Sequence, residues 1–138
     1  MQSKAEIAAE LFLGGCNCAQ AVLGAFCEDY GLAFDVAASV ACGLGSGARN
    51  AELCGAVSGG VLVVGLKYGK DTSTCNAKVE EFTTRFRELH GHIVCKELLE
   101  CDIATAEGRE AAISRGLFKT KCLELTKSAA EILVGLGY

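Results

Sequence analysis

The 138 residues contain no proline and no tryptophan, and nothing in them reads as a linker, a low-complexity segment or a repeat. β-Branched residues are sparse outside residues 57–64, and no second run of comparable β character exists to pair with that one. A sheet is therefore not expected. Ala, Leu, Glu and Lys dominate, and they favour helices. Lys and Arg are scattered rather than run together, and the net charge is −4. A nucleic-acid partner is excluded on that ground, because phosphate neutralisation needs a concentrated positive face. The longest strongly apolar run without charge, Leu53–Leu66, is too short to span a bilayer, so no membrane segment is expected. "LFLGGC" at 11–16 has the look of a lipoprotein cleavage site. However, Glu6 and Glu10 interrupt the apolar stretch it would need, so no signal peptide is expected and the chain is read as cytoplasmic.

Cysteine is abundant: nine occur, at 16, 18, 27, 42, 54, 75, 95, 101 and 122. An odd count forbids complete internal pairing. In a reducing compartment, metal ligands, redox thiols or buried apolar fillers are expected rather than structural disulfides. No C-x-x-C is present. The usual thioredoxin-like, zinc-ribbon, bacterial-ferredoxin and c-type haem signatures are therefore missing. "GLGSGA" at 43–48 lacks the preceding strand that a dinucleotide loop needs.

The 51% apolar and 22% charged composition fits one globular domain, residues 1–138. The expected fold is all-α, a compact bundle of about six to seven helices. Helical periodicity covers residues 3–13, then 17–30 from an Asn17 N-cap to a Gly31 stop. Asp35 caps a short helix to about 41, and residues 42–50 form a glycine-rich loop. The segment 51–68 is apolar on every side and is expected to be the central helix. Its Gly55, Gly59 and Gly60 weaken a helix, unless a neighbouring backbone uses the space they leave. Thr72 or Ser73 caps a helix to His90 with Cys75, Val79, Phe82, Phe86 and Leu89 on one face. Helices at about 92–100, 105–115 and 119–135 follow, the last with Cys122, Leu125, Ala129, Ile132 and Leu133 on one face.

Cys18, Cys54, Cys95 and Cys122 share a setting. Each falls near the first turn of an expected helix and points to its apolar side. There the macrodipole and free N–H groups favour a thiolate, the form that binds metal or attacks a disulfide. Each is equally readable as a small apolar filler. Cys16, two residues before Cys18, is the fifth candidate, as a chelating or resolving thiol. Cys42 and Cys75 read as packing, and Cys27, opposite Cys18 on its helix, as peripheral. His90 and His92 read as cap or surface residues, with metal ligation or proton tuning near Cys95 as the alternative. Glu80, Glu81, Glu97 and Glu100 read as solvated faces.

Four segments in order carry a family resemblance. "NCAQAVL" at 17–23, "CGAVSGG" at 54–60 with "GLKYG" after it, "CKELL" at 95–99 and "KCLEL" at 121–125 resemble the redox-active family named for its C, GCAxxG (or CGAxxG), C and C pattern. The resemblance covers nearly the whole chain. It implies that Cys18, Cys54, Cys95 and Cys122 are the defining cysteines, and that they either hold a [2Fe–2S] or [4Fe–4S] cluster for electron transfer with an unidentified redox partner protein or act as redox thiols. A similar domain occurs in split-Soret cytochromes, whose haem motif is missing here. The extra cysteines depart from the family minimum and leave the ligand set open. Two other readings stay open. One is a cluster-free thiol–disulfide or sulfur-transfer protein using Cys16 and Cys18, or Cys95 and Cys122. The other is a structural zinc site. The high apolar fraction leads us to expect a homodimer.

Overall fold

A computed structural model describes all 138 residues. It is all-helical, with eight α-helices: α1 (Lys4–Leu13), α2 (Cys18–Phe26), α3 (Phe34–Ala41), α4 (Gly55–Tyr68), α5 (Thr72–His90), α6 (Cys95–Leu99), α7 (Ala106–Ser114) and α8 (Lys121–Gly135). The count exceeds the expected six to seven, and each of the eight helices corresponds to one of the segments read as helical. No helix is long and apolar enough to cross a membrane.

Side-chain caps set several of the starts. Ser3 accepts from the Glu6 N–H, and Thr105 from that of Gly108. Asn17 and Gln20 form a reciprocal capping box at α2. Asp71, rather than Thr72 or Ser73, caps α5, because its carboxylate reaches the Thr74 N–H. Asp35 lies inside the first turn of α3, which starts after Ala33. α2 ends at Phe26 and tightens into a 3-10 turn, Cys27–Tyr30, before left-handed Gly31.

α4 does not stand alone at the centre. It packs between α2 and α5 and also meets α8, while α1 packs against α2 and α8. α2 is equally enclosed, with Ala19, Ala21, Val22, Leu23, Ala25 and Phe26 buried. The glycines explain how these two helices share the middle. A Cβ on Gly59 would lie 2.7 Å from the Ala19 carbonyl oxygen, and one on Gly55 would lie 3.0 Å from the Cys18 Cβ. Gly60 faces the Phe82 ring of α5 in the same way. The helix-propensity cost of these glycines is thus offset by close packing. Phe26, Phe82, Phe86, Leu125 and Leu133 complete the main core. Leu89 falls outside it, 66% exposed, and the His90 ring takes its place, 4.6 Å from that of Phe86.

A smaller core lies at the other end. It contains Ala51, Cys95, Leu99, Ile103, Ala112 and Cys122, with Phe12, Cys18, Cys101 and Phe118 packed against it.

Candidate redox site

The expected helix over 51–68 starts at Gly55, so its first residues are free to do something else. Residues 52–54 run extended beside 93–95. Leu53 and Val94 form an antiparallel bridge, the Cys54 N–H donates to the Ile93 carbonyl at 2.9 Å, and the Cys95 N–H donates to that of Glu52. This clamp places the start of α4 beside the start of α6. Cys54 is the N-cap of α4, and Cys95 is the first residue of α6. α6 is only five residues long, shorter than the expected 92–100, because residues 92–94 are spent on the bridge. The Gly55 and Gly59 contacts bring the start of α2, and with it Cys18, against the same point. Cys122, in the first turn of α8, closes the group.

All four of these cysteines line one cavity of about 220 Å3. Cys54, Cys95 and Cys122 are buried, at 5%, 7% and 9% exposure, and Cys18 is half-buried. The other walls are mainly apolar, with Phe12, Leu98, Ile103, Phe118 and Leu125 among them. No histidine or carboxylate lines it. Cys16 does not reach it. Cys101 is packed beside the second core, its thiol 3.3 Å from the Leu99 carbonyl, close enough for its charge to act on Cys95.

The remaining cysteines lie elsewhere. Cys27 is wholly buried in the main core rather than peripheral, because the 3-10 turn after α2 folds it inward. Cys42 is exposed rather than packed, since the chain leaves α3 there. Cys75 packs, half-buried, against the main core. The histidines also stay clear of the cavity. His90 shares a hydrogen bond with Ser128 at 2.7 Å, and His92 faces Glu97 at 3.7 Å.

The thiols are electrostatically unequal. Hydrogen bonding from the Cys122 thiol holds Cys18 below the ordinary thiol value against the opposing effect of burial, and the buried Thr126 hydroxyl adds to it. The same Cys18–Cys122 interaction, with burial, pushes Cys122 far up. Burial, then the neighbouring Cys18 charge, raises Cys54 to about 12. Burial and Cys18 also raise Cys95, to about 11, with the Arg109 guanidinium pulling the other way. Among the four, the hydrogen-bonded Cys18–Cys122 pair therefore gives up a proton most readily, and the negative charge it then carries raises the cost of a second ionisation.

The expected open loop over 42–50 is a structured wall. Asn17 donates to the Cys42 carbonyl at 3.0 Å and packs against Gly45. Ser46, Gly47, Ala48 and Arg49 then follow one another with φ of 56°, 62°, 56° and 65°, and Ala51 repeats the value at 55°. A left-handed backbone costs a non-glycine residue roughly 1–2 kcal/mol. Gly47 sits where no side chain fits, since a Cβ there would collide with the Glu52 amide nitrogen and crowd the Cys95 Cβ at 3.1 Å. Nothing in the local sequence other than glycine signals this turn. Its cause is tertiary: the clamp at 52–54 and the approach of Cys95.

Arg109, on α7, also lines the cavity, and sequence reasoning missed it. It stacks on the Phe118 ring at 5.3 Å and reaches Ser46 across 63 positions of chain. Thr126, whose hydroxyl donates to the Cys122 carbonyl at 2.8 Å, was missed for the same reason. Neither residue has a local pattern to distinguish it from an ordinary helix residue.

Residues 16–136 match the family described as "Putative redox-active protein (C_GCAxxG_C_C)", and the chain belongs to that family. No curated protein and no solved structure matches it significantly.

Proposed function

We propose that Cys18, Cys54, Cys95 and Cys122 hold an iron–sulfur cluster and that the protein transfers electrons through it. The observation that carries this reading is the placing of four thiols from four helices around one cavity that no histidine or carboxylate shares. The donor set suits iron–sulfur chemistry, which is held by thiolates. The cavity is many times the ~10–15 Å3 that one water needs. No three His, Cys, Asp or Glu side chains converge closely enough to hold a single ion. Thiols set around a space of this size suit a polynuclear cluster better than one tetrahedral zinc. A bound cluster would supply one-electron redox chemistry.

The chain's own part is to fix four sulfurs on rigid helix starts, to exclude water with Phe12, Ile103 and Phe118, and to offset negative charge with Arg109. Burial and charge are levers that set a cluster's potential. The test is purification without oxygen. The expected product is brown and contains iron and acid-labile sulfide. A colourless protein holding neither after cluster reconstitution would end this reading.

A second reading rests on the Cys18–Cys122 contact, in which one thiol lies low and its partner high. That is the arrangement of an attacking thiolate beside a resolving thiol. Cys18 and Cys122 are a further pair beside the expected Cys95 and Cys122, which line the same cavity. Reversible loss of two titratable thiols in metal-free protein, with both mapped to these residues, would support it.

A further inference from the structure

Two arginines meet at the rim of the cysteine cavity without a carboxylate between them. Arg109 directs Nη1 and Nη2 at the Ser46 Oγ, at 3.4 and 3.3 Å. Arg49, exposed and not itself lining the cavity, directs its Nη1 at the same oxygen at 3.5 Å. Neither guanidinium takes part in an ion pair, whereas the four ion pairs of the molecule all use Lys or His. Arg109 is the only charged side chain lining the cavity.

Two like charges sharing one hydroxyl repel each other, and no carboxylate pairs with either of them. The Arg109 guanidinium lies over the Phe118 ring, 5.3 Å from its centroid. The left-handed turn at 46–49 fixes Ser46 and Arg49. Strain of this kind is retained where the rest of the fold over-determines it, and it concentrates at ligand clamps. Ser46 accepts from both arginines and keeps its own O–H free to donate. The group therefore offers two forks of N–H donors and one O–H, with no competing acceptor charge. Guanidinium forks match the oxygen spacing of oxyanions, and paired charge-assisted hydrogen bonds are the strong ones.

We infer that Arg49, Arg109 and Ser46 form a binding site for a small doubly charged oxyanion at the mouth of the cysteine cavity. The anion neutralises the two guanidiniums and lies beside the thiol-lined space. Its use as a reactant of the redox centre rests on the cysteine cavity being that centre. Its binding does not.

The experiment is titration of the full-length protein with inorganic sulfate, a probe that thiols do not reduce, followed by calorimetry at low ionic strength. Chloride at matched ionic strength is the control. Saturable sulfate binding is expected. Arg109→Leu and Arg49→Leu should each weaken it by roughly tenfold or more, as loss of one charged fork implies. Arg109→Lys should retain part of the affinity, and Ser46→Ala should lose less than either leucine variant. Arg49 is exposed, so Arg49→Leu keeps the test decisive even if Arg109→Leu unfolds. Absence of saturable sulfate binding, or binding by Arg49→Leu equal to that of the unaltered protein, would overturn the proposal. Iron content measured on the same samples separates the two readings: sulfate binding without iron keeps this site and removes the cluster.

Discussion

The two ends of the bundle solve different problems with the same helices. In the half where α4, α5 and α8 meet, Phe82 and Phe86 are wholly buried, glycine makes room for a ring, and almost every buried group is apolar. In the other half the chain departs from regular structure. It spends 52–54 on a two-stranded clamp, holds a run of left-handed residues, and leaves a cavity walled by four cysteines. The first half stores stability as packing. The second gives up packing and backbone comfort, and what it obtains is four sulfurs from distant parts of the chain at one place. The close approach of α2 to α4 through Gly55 and Gly59 is one of the contacts that join the halves; α1 and α8 also run through both.

That contrast can be broken from the packed side. Phe82→Ala should cost about 3–5 kcal/mol, the usual range for emptying a buried aromatic site, and should leave the cysteine cavity able to load cofactor once the protein is folded. Urea unfolding beside iron per chain checks both halves of that statement. Equal loss of iron and stability would mean that the two ends are not separable.

It can be sharpened at the joint. Gly59→Ala puts a Cβ into the Ala19 backbone and pushes α2 away from α4. Overpacking of this sort costs about 1–3 kcal/mol. Because Cys18 rides on α2 and Cys54 on α4, the effect on cofactor occupancy should exceed that of any equally destabilising change in α5. If Gly59→Ala and a matched α5 variant retain cofactor equally, the α2–α4 approach does not position the site.

A smaller effect concerns pH in the metal-free protein. Cys54 is raised to about 12 and Cys95 to about 11, both chiefly by burial, against an ordinary thiol value of about 8.5. Above that value the unfolded chain releases protons that the folded chain still holds. Stability therefore falls as pH rises from there towards the folded values. Melting temperature against pH should show this decline, and Cys54→Ser should flatten it. A slope unchanged in that variant would remove Cys54 as its source.

Much of the packed half was legible in advance. The α8 face, the α5 face up to Phe86 and the purpose of glycines four apart follow from spacing, because local pattern and tertiary packing agree there, whereas Leu89 leaves the expected face. The four cysteines of the cavity were also chosen from their positions at helix starts and from the family resemblance. The wall opposite them was not legible. Left-handed Ser46, Ala48 and Arg49 contradict their own propensities, and Arg109 reaches Ser46 only through the fold. Cys27 and Cys42 exchanged roles for a similar reason, as helix-face reasoning fails once the helix ends.

The account stands on the claim that four particular cysteines of nine form one site. Iron per chain, measured after anaerobic purification for each cysteine-to-serine variant at unchanged helical content, tests it directly. Serine is a poor ligand of nearly the same size as cysteine, so the cavity left behind is small. The account predicts that Cys18→Ser, Cys54→Ser, Cys95→Ser and Cys122→Ser each lose iron, while Cys27→Ser, Cys42→Ser and Cys75→Ser keep it. Retention of iron by Cys54→Ser together with its loss in Cys75→Ser would contradict the account.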